Sequence, residues 1–265
     1  MVLEQLVEFK TIQTSVMNTL INTLKESLNE VVIHFRNDKF FVNQATAGGS
    51  LIIDLQINKP EEYTCHKEID FGIDLIKLSK VMATISSFDK LCWRIFTEDN
   101  IPKMEIIMSS DQNNKTIRTI INAIDISAHG VQIPKLEHIH IVDMPSKLLK
   151  SDCNILKSIS DEIEILINSN MICLSSGEKN HDAKMVIEYK NGINNAKNNI
   201  YIDTKNNDGV IVQGLYNLKH ISEFMKCASI NNSVKVAINK KSILNIKCQV
   251  ADLGELQFFM GDKNN

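Results

Sequence analysis

The chain repeats itself, and that limits its fold more than any other feature. Leu24-Lys25 leads through Asn29-Glu30-Val31-Val32-Ile33 to a turn at Arg36-Asn37-Asp38-Lys39 and then to Phe40-Phe41-Val42. Leu156-Lys157 leads in the same way through Asp161-Glu162-Ile163-Glu164-Ile165 to Asn168-Ser169-Asn170-Met171 and then Ile172-Cys173-Leu174. One offset of 132 positions relates Glu30 to Glu162, Val31 to Ile163, Ile33 to Ile165 and Val42 to Leu174. A second set, Leu75, Leu78 and Val81 against Leu215, Leu218 and Ile221, repeats at an offset of 140. Self-similarity at a fixed offset means two copies of one structural unit. Between the copies, Ile121 to Pro134 loses any helical period after Asp125 and is punctuated by Gly130 and Pro134, the marks of a connector. The expected organisation is a domain over residues 1–121, a connector over 122–136 and a like domain over 137–265.

Two hundred and sixty-five residues suit this division, since domains of about 130 can each bury a core. The six cysteines (Cys65, Cys92, Cys153, Cys173, Cys227, Cys248) lie far apart without a Cys-x-x-Cys pair, which reads as reduced thiols in a reducing compartment. The first ten residues carry Glu4 and Glu8 and no long apolar run, so no secretory signal is expected. No apolar stretch approaches the ~20 residues of a membrane span. A formal charge of -3 gives no global sign of nucleic-acid binding, so any such surface must come from charge gathered on one face.

Periodicity predicts a short strand at Leu3–Val7 and an amphipathic helix over Phe9–Leu28. Strands follow at Val31–Phe35, Phe40–Asn43 and Leu51–Gln56, then an extended run at Tyr63–Ile73. Asp74 is placed to cap a helix over Leu75–Ser86, and strands at Leu91–Thr97, Met104–Ser109 and Lys115–Ala123 close the half. The second half predicts a strand at His138–Val142 and a helix over Lys147–Ser160 opened by Pro145-Ser146. Strands follow at Glu162–Asn168, Met171–Ser175, Lys184–Tyr189 and Asn199–Thr204. A helix over Leu215–Ala228 comes next, and strands at Val234–Asn239, Ile243–Ala251 and Leu256–Met260 end the chain. Antiparallel strands dominate, so the fold class is α+β: two similar domains of antiparallel sheet, each with two helices on one face.

The outward faces of the four helices lean basic. Lys147, Lys150, Asn154 and Lys157 form a stripe at spacings of three and four, opposite Leu149, Cys153, Leu156 and Ile159. Lys77 and Lys80 lie outside Leu75, Leu78, Met82 and Ile85. The last helix offers Lys219, His220 and Lys226, diluted by Glu223, and the first offers Lys10 and Lys25 among neutral Thr and Asn. The chain has only three arginines, Arg36, Arg94 and Arg118. A lysine ammonium is a mobile point charge, whereas arginine makes rigid bidentate contacts. Phosphate contacts carry no sequence information, and affinity built on them is salt-sensitive. Such a surface suits a protein that holds a duplex and moves along it.

The order and spacing of several stretches resemble one family over essentially the full chain. They are Ile133-Pro134 followed by Val142-Asp143-Met144-Pro145-Ser146, then Leu174-Ser175-Ser176-Gly177-Glu178, and Val250-Ala251-Asp252-Leu253-Gly254-Glu255-Leu256-Gln257-Phe258-Phe259. Leu24 to Phe35 and Phe71 to Val81 match it in pattern. The chain resembles the eukaryotic sliding clamp, proliferating cell nuclear antigen, as a divergent, viral-type member. The resemblance implies a head-to-tail homotrimeric ring, a DNA clamp fold whose helices line the hole, and a processivity factor that encircles duplex DNA. It implies tethering of DNA polymerase and other peptide-motif replication and repair proteins, and opening of the ring by an ATP-dependent clamp loader. Lys10, Lys25, Lys77, Lys80, Lys147, Lys150, Lys157, Lys219 and Lys226 would then face DNA. Subunits would join through strands near Thr116–Ile121 and Ala183–Tyr189. Partner peptides would enter a pocket under the connector, at Ile52, Val131, Ile133, Pro134, Ile243, Phe259 and Met260. All seven are apolar, as anchors of aromatic and aliphatic side chains require. The family's tail proline is Asp262 here, and its ubiquitin-accepting lysine aligns with Asn168. The implied place of action is the nucleus, or a cytoplasmic replication site for a viral member; secretion is not expected.

Two other readings stand beside this one. A clamp-like factor could work as a monomer or within a heteromeric ring. In another class, His138 and His140 put two imidazoles on the exposed face of a strand with Asp143 nearby, a set that a metal-dependent hydrolase could use. Gly48-Gly49 lacks the lysine and following helix of a phosphate loop. No nucleophile with a base, acid–base pair or cofactor motif is legible, so no enzyme activity and no cofactor are expected.

Overall fold

The computed structural model describes residues 4–85, 88–126, 131–133, 137–177, 183–192, 199–204, 209–227 and 230–264. The chain divides into two compact units. Unit 1 holds residues 1–44, 54–131 and 250–255, and unit 2 holds 45–53, 132–249 and 256–265. Each is α+β.

Unit 1 begins with strand β1 (Glu4–Thr11) and helix α1 (Thr14–Ser27). Strands β2 (Glu30–Phe35) and β3 (Phe40–Ala45) follow, then β4 (Leu51–Ile57), whose C-terminal part belongs here, β5 (Glu62–Cys65) and β6 (Ile69–Asp74). Helix α2 (Leu75–Met82) precedes β7 (Lys90–Glu98), β8 (Ile101–Ser110) and β9 (Lys115–Asn122). One antiparallel sheet runs β5-β1-β7-β8-β9. In another, β2 lies between β3 and β6, with His34 opposite Phe41 and Val32 opposite Gly72. Alternation along the strands buries Phe9, Phe40, Trp93, Ile106 and Val31, and Phe40, Trp93 and Val31 face Met17, Leu20, Ile21 and Leu24 of α1. Burying each of these side chains contributes roughly 1.5–3 kcal/mol.

Unit 2 repeats the plan. Strand β10 (His138–Pro145) leads into α3 (Ser146–Lys157), then β11 (Glu162–Ile167), β12 (Met171–Gly177), β13 (Lys184–Lys190), β14 (Tyr201–Thr204) and β15 (Val212–Asn217). Helix α4 (Leu218–Cys227) precedes β16 (Ser233–Asn239), β17 (Leu244–Val250) and β18 (Gly254–Met260). One sheet runs β13-β12-β11-β15, and β10 pairs with both β14 and β16.

The offset of 132 holds in the hydrogen bonds. Arg36 N donates to Lys39 O at 2.9 Å and Asn168 N to Met171 O at 3.0 Å, closing equivalent hairpins. The offset of 140 does not hold. Helix α2 starts at Leu75 and α4 at Leu218, a separation of 143. Leu75 N donates to Asn29 O at 2.8 Å and Leu218 N to Asp161 O at 2.9 Å, which fixes the correspondence. The expected helix over Leu215–Ala228 therefore starts three residues late. Val212 to Asn217 is strand β15, paired with β11, and its apolar residues read equally well as the start of a helix.

The first helix also needs correction. Phe9 to Thr11 belong to β1, which pairs Phe9 with Trp93 and Lys10 with Cys92. Thr11 Oγ1 accepts from Gln13 N at 2.9 Å and turns the chain into α1. The expected cap is present on α2, where Asp74 Oδ1 accepts from Lys77 N at 2.9 Å.

Candidate functional site

The helices carry the charge. On α3, Leu149, Cys153 and Leu156 are buried while Lys147, Lys150 and Lys157 are exposed. None of these three lysines has an ion-pair partner among the described residues. Lys80 of α2 is equally free, and Lys77 sits 3.8 Å from Asp74. Helix α4 is more nearly balanced. Lys219 Nζ lies 3.8 Å from Glu223, and His220 Nδ1 lies 3.2 Å from the same carboxylate, which is only 5% exposed. Lys226 is exposed but engaged, and Lys25 of α1 donates to Asn22 Oδ1 at 3.3 Å.

Lys10 is not on a helix. It lies on β1, 2.7 Å from Glu62 and 3.1 Å from Glu8, and these contacts, the Glu62 hydrogen bond foremost, raise its pKa. Burial pushes the Glu8 carboxyl up, but its bonds to Arg94 and Lys10 outweigh this and hold it below the usual range. Lys10 thus belongs to a neutralised surface network on the five-stranded sheet.

The residues of the expected peptide pocket are found as follows. Ile52 on β4, Ile243 before β17, and Val131 and Ile133 on the connector are half-buried. Phe259 and Met260 of β18 are buried, 5% and 2% exposed, so they serve the unit 2 core as well. Pro134 lies outside the described residues. Sequence reasoning missed two residues that hold the connector. Asn43 Nδ2 donates to Val131 O at 3.0 Å, and Ile124 N donates to Gly72 O at 3.0 Å. Their signal was an Asn and a Gly inside strand patterns, which mark close backbone approach.

The metal reading fails on His140. The expectation placed it on an exposed face, but it is fully buried. A shift in register between His138 and His140 against β16 breaks the simple alternation that would align the two. His140 Nε2 lies 2.8 Å from Val210 O, and a carbonyl only accepts, so Nε2 carries the hydrogen. Nδ1 then accepts from the Thr204 hydroxyl at 3.2 Å. Both ring nitrogens are used, and neither is left for a cation. The His138 side chain lies outside the described residues. No cluster of three or more metal-ligating side chains occurs among the described residues.

Among the described residues, β9 and β13 have no strand paired along their outer edges, as is also true of the sheet-end strands β5, β6, β14 and β15. Both β9 and β13 expose a large apolar side chain, Ile120 at 56% and Val186 at 48%.

Family models of the N-terminal and C-terminal domains of proliferating cell nuclear antigen match residues 6–141 and 132–263. The chain belongs to the proliferating cell nuclear antigen family. Its activity is that of a DNA sliding clamp. Among similar proteins is the "Probable DNA polymerase sliding clamp 1" of Paramecium bursaria Chlorella virus 1. That protein is 22% identical over 263 residues, covering 96% of this clamp and 95% of the relative. Among solved structures, proliferating cellular nuclear antigen from Entamoeba histolytica matches with a TM-score of 0.83 and 21% identity. The match covers 98% of this clamp and all of that chain. The family's clamps are scaffolds rather than enzymes, and no helix among the described residues is long and apolar enough to cross a membrane.

Proposed function

We propose that this sliding clamp closes as a ring of three copies, β9 of one subunit pairing antiparallel with β13 of the next. The supporting observation is that β9 and β13 each end a sheet among the described residues and expose an apolar side chain there, Ile120 and Val186. Exposed edges with apolar side chains invite pairing, and a head-to-tail ring that closes uses both edges of every subunit. The faces of the strands narrow the register. Ile117, Thr119 and Ile121 share the inner face with Met104, Ile106 and Met108, while Arg118 and Ile120 lie outside. On β13, Ile187 and Tyr189 share the inner face with Leu174 and Ile172, while Val186 and Glu188 lie outside. One register that keeps inner with inner sets Arg118 opposite Glu188 and Ile120 opposite Val186. A shift of two residues sets Arg118 against Val186 or Lys190, losing the charge match.

The ring encircles duplex DNA with Lys25, Lys77, Lys80, Lys147, Lys150, Lys157, Lys219 and Lys226 toward the phosphates, α3 contributing most. Retention comes from topology, so modest attraction independent of base sequence is enough. Lys10 is left out of this lining. Ile52, Val131, Ile133, Ile243, Phe259 and Met260, with Pro134, offer an apolar groove for short peptide segments of DNA polymerase and other replication proteins. The clamp does no chemistry of its own, and a separate ATP-dependent loader opens it. It acts in the nucleus or at a viral replication site.

Native mass by light scattering across a dilution series tests the ring. The chain is 30.0 kDa, so a trimer weighs about 90 kDa. A persistent 30.0 kDa species would refute closure by identical copies.

A further inference from the structure

The connector is held to unit 1 at two points, and the sequence at each is particular. At the first, a Cβ on Gly72 would stand 2.2 Å from Ile124 O and 3.1 Å from Ile126 Cγ1. The connector backbone therefore lies directly on β6, where only a residue without a side chain lets it approach. At the second, the Asn43 amide donates to the carbonyl of Val131. Gly72 stands opposite Val32, and continuing the His34–Phe41 register by two residues brings Asn43 level with Val32 on its other side. The connector is thus fixed at both ends of one cross-strand row.

The equivalent row in unit 2 has different residues. Glu164 stands opposite Leu215 on one side and Ser175 on the other. Here the C-terminal tail repeats the connector's first contact, Lys263 N donating to Leu215 O at 2.9 Å. Asp262 Oδ1 accepts from Leu215 N at 3.1 Å beside it. At the place of Asn43, Ser175 Oγ donates to Glu164 Oε2 at 3.1 Å. A hollow of about 260 Å³ remains over the row, lined by Glu164, Ser175, Gln213 and Leu215 among others.

We propose that Asn43 is the positioning residue of the connector, setting the height of Val131, a residue expected to line the partner-peptide groove. This rests on the peptide-groove reading above. Among the described residues, buried Asn43 Oδ1 has no hydrogen-bond partner, so the side chain reaches the connector through one bond, from Nδ2 to Val131 O.

The test uses the full-length clamp. Hydrogen exchange reports on the Val131–Ile133 amides, and fluorescence anisotropy on a labelled short peptide with aliphatic and aromatic anchors. Asn43→Ser, which copies the unit 2 residue, should speed exchange at Val131–Ile133 and raise the peptide Kd by about 2- to 10-fold, the loss of one ordinary hydrogen bond. Asn43→Asp keeps the shape but cannot donate to a carbonyl, so it should do at least as much. Wild-type affinity in Asn43→Asp, or unchanged exchange in Asn43→Ser, would overturn the proposal. A melting point lowered in both variants with exchange at the connector unaltered would also overturn it, making Asn43 an ordinary stabilising contact. If the unaltered clamp fails to bind the peptide, the groove reading fails, while the exchange arm still decides whether Asn43 sets the connector.

Discussion

Reversing one charge on the ring edge gives the sharpest test of subunit pairing. Arg118 is exposed and bonded to Glu105 at 3.2 Å within its own subunit; Glu188 is exposed on β13. In the proposed register they are direct cross-strand neighbours, where matched and like charges each shift pairing by roughly 0.2–1 kcal/mol. Glu188→Arg converts a match into a clash, about 1 kcal/mol per interface. A closed ring has three such interfaces, so the change sums to about 3 kcal/mol, or roughly 10²-fold in the assembly constant. For three chains forming one ring, the midpoint concentration varies as the inverse square root of that constant. Sedimentation velocity over a dilution series should therefore show the midpoint rising about tenfold. Arg118→Glu should do the same with an added local cost from Glu105. The double variant restores a matched pair and should recover most of the Glu188→Arg loss. If the double variant assembles no better than the two losses multiplied together, Arg118 and Glu188 are not neighbours and the register is wrong.

Three further outcomes are expected. Replacing Lys77, Lys80, Lys150 and Lys157 by Ala should shorten retention on closed circular DNA. It should also flatten the salt dependence by about 0.9 in log–log slope for each phosphate no longer neutralised; unchanged slopes would remove these helices from the DNA lining. Ile133→Ala should weaken peptide binding in titration calorimetry at nearly constant melting temperature, whereas Phe259→Ala should lose both, since emptying a buried aromatic site costs about 3–5 kcal/mol. Asp152 of α3 is 4% exposed, and burial raises its pKa, the 2.9 Å bond from the Tyr189 hydroxyl opposing this. A carboxyl with a raised folded-state pKa gives its full stability below the unfolded value and loses it as pH rises through the folded one. Denaturant midpoints of the wild type should thus fall as pH rises across that window. Asp152→Asn should remove the fall and be the more stable form at neutral pH; a steeper fall would show that the carboxylate is stabilising.

The duplication was legible because its signal is redundant. Glu30-Val31-Val32-Ile33 and Glu162-Ile163-Glu164-Ile165 alternate alike, and each is followed by a turn of the same length. Alternation reports the face of a strand without reference to its neighbours, so most strands were placed within a few residues. What failed was the junction between unlike periods. Phe9 to Thr11 fits the end of β1 and the start of α1 equally well by apolar spacing. The decision lies in the pairing of Lys10 with Cys92, a contact more than eighty positions away. Leu215 failed similarly, because its strand partner Glu164 lies far back in the chain. The lysine stripe on α3 could be read from spacing alone, but the pairing of Lys10 with Glu8 and Glu62 could not. Asn43 and Gly72 went unrecognised as holders of the connector because their roles depend on a segment that returns over the sheet from much later in the chain.

The two copies have diverged at matching places, and the divergence bears on how such a ring would hold DNA. Helices α2 and α4 begin alike, with Asp74 Oδ1 accepting from Lys77 N and Asn217 Oδ1 from Lys219 N, each at 2.9 Å. One turn on, α2 presents the free ammonium of Lys80, while α4 buries Glu223 beneath Lys219 and His220. Of the two helices of unit 2, α3 therefore carries the free cations, its three exposed lysines having no carboxylate partner among the described residues. Because the attraction is to phosphate charge rather than to bases, a lining uneven in this way would bias which helices meet the backbone without fixing a register along it.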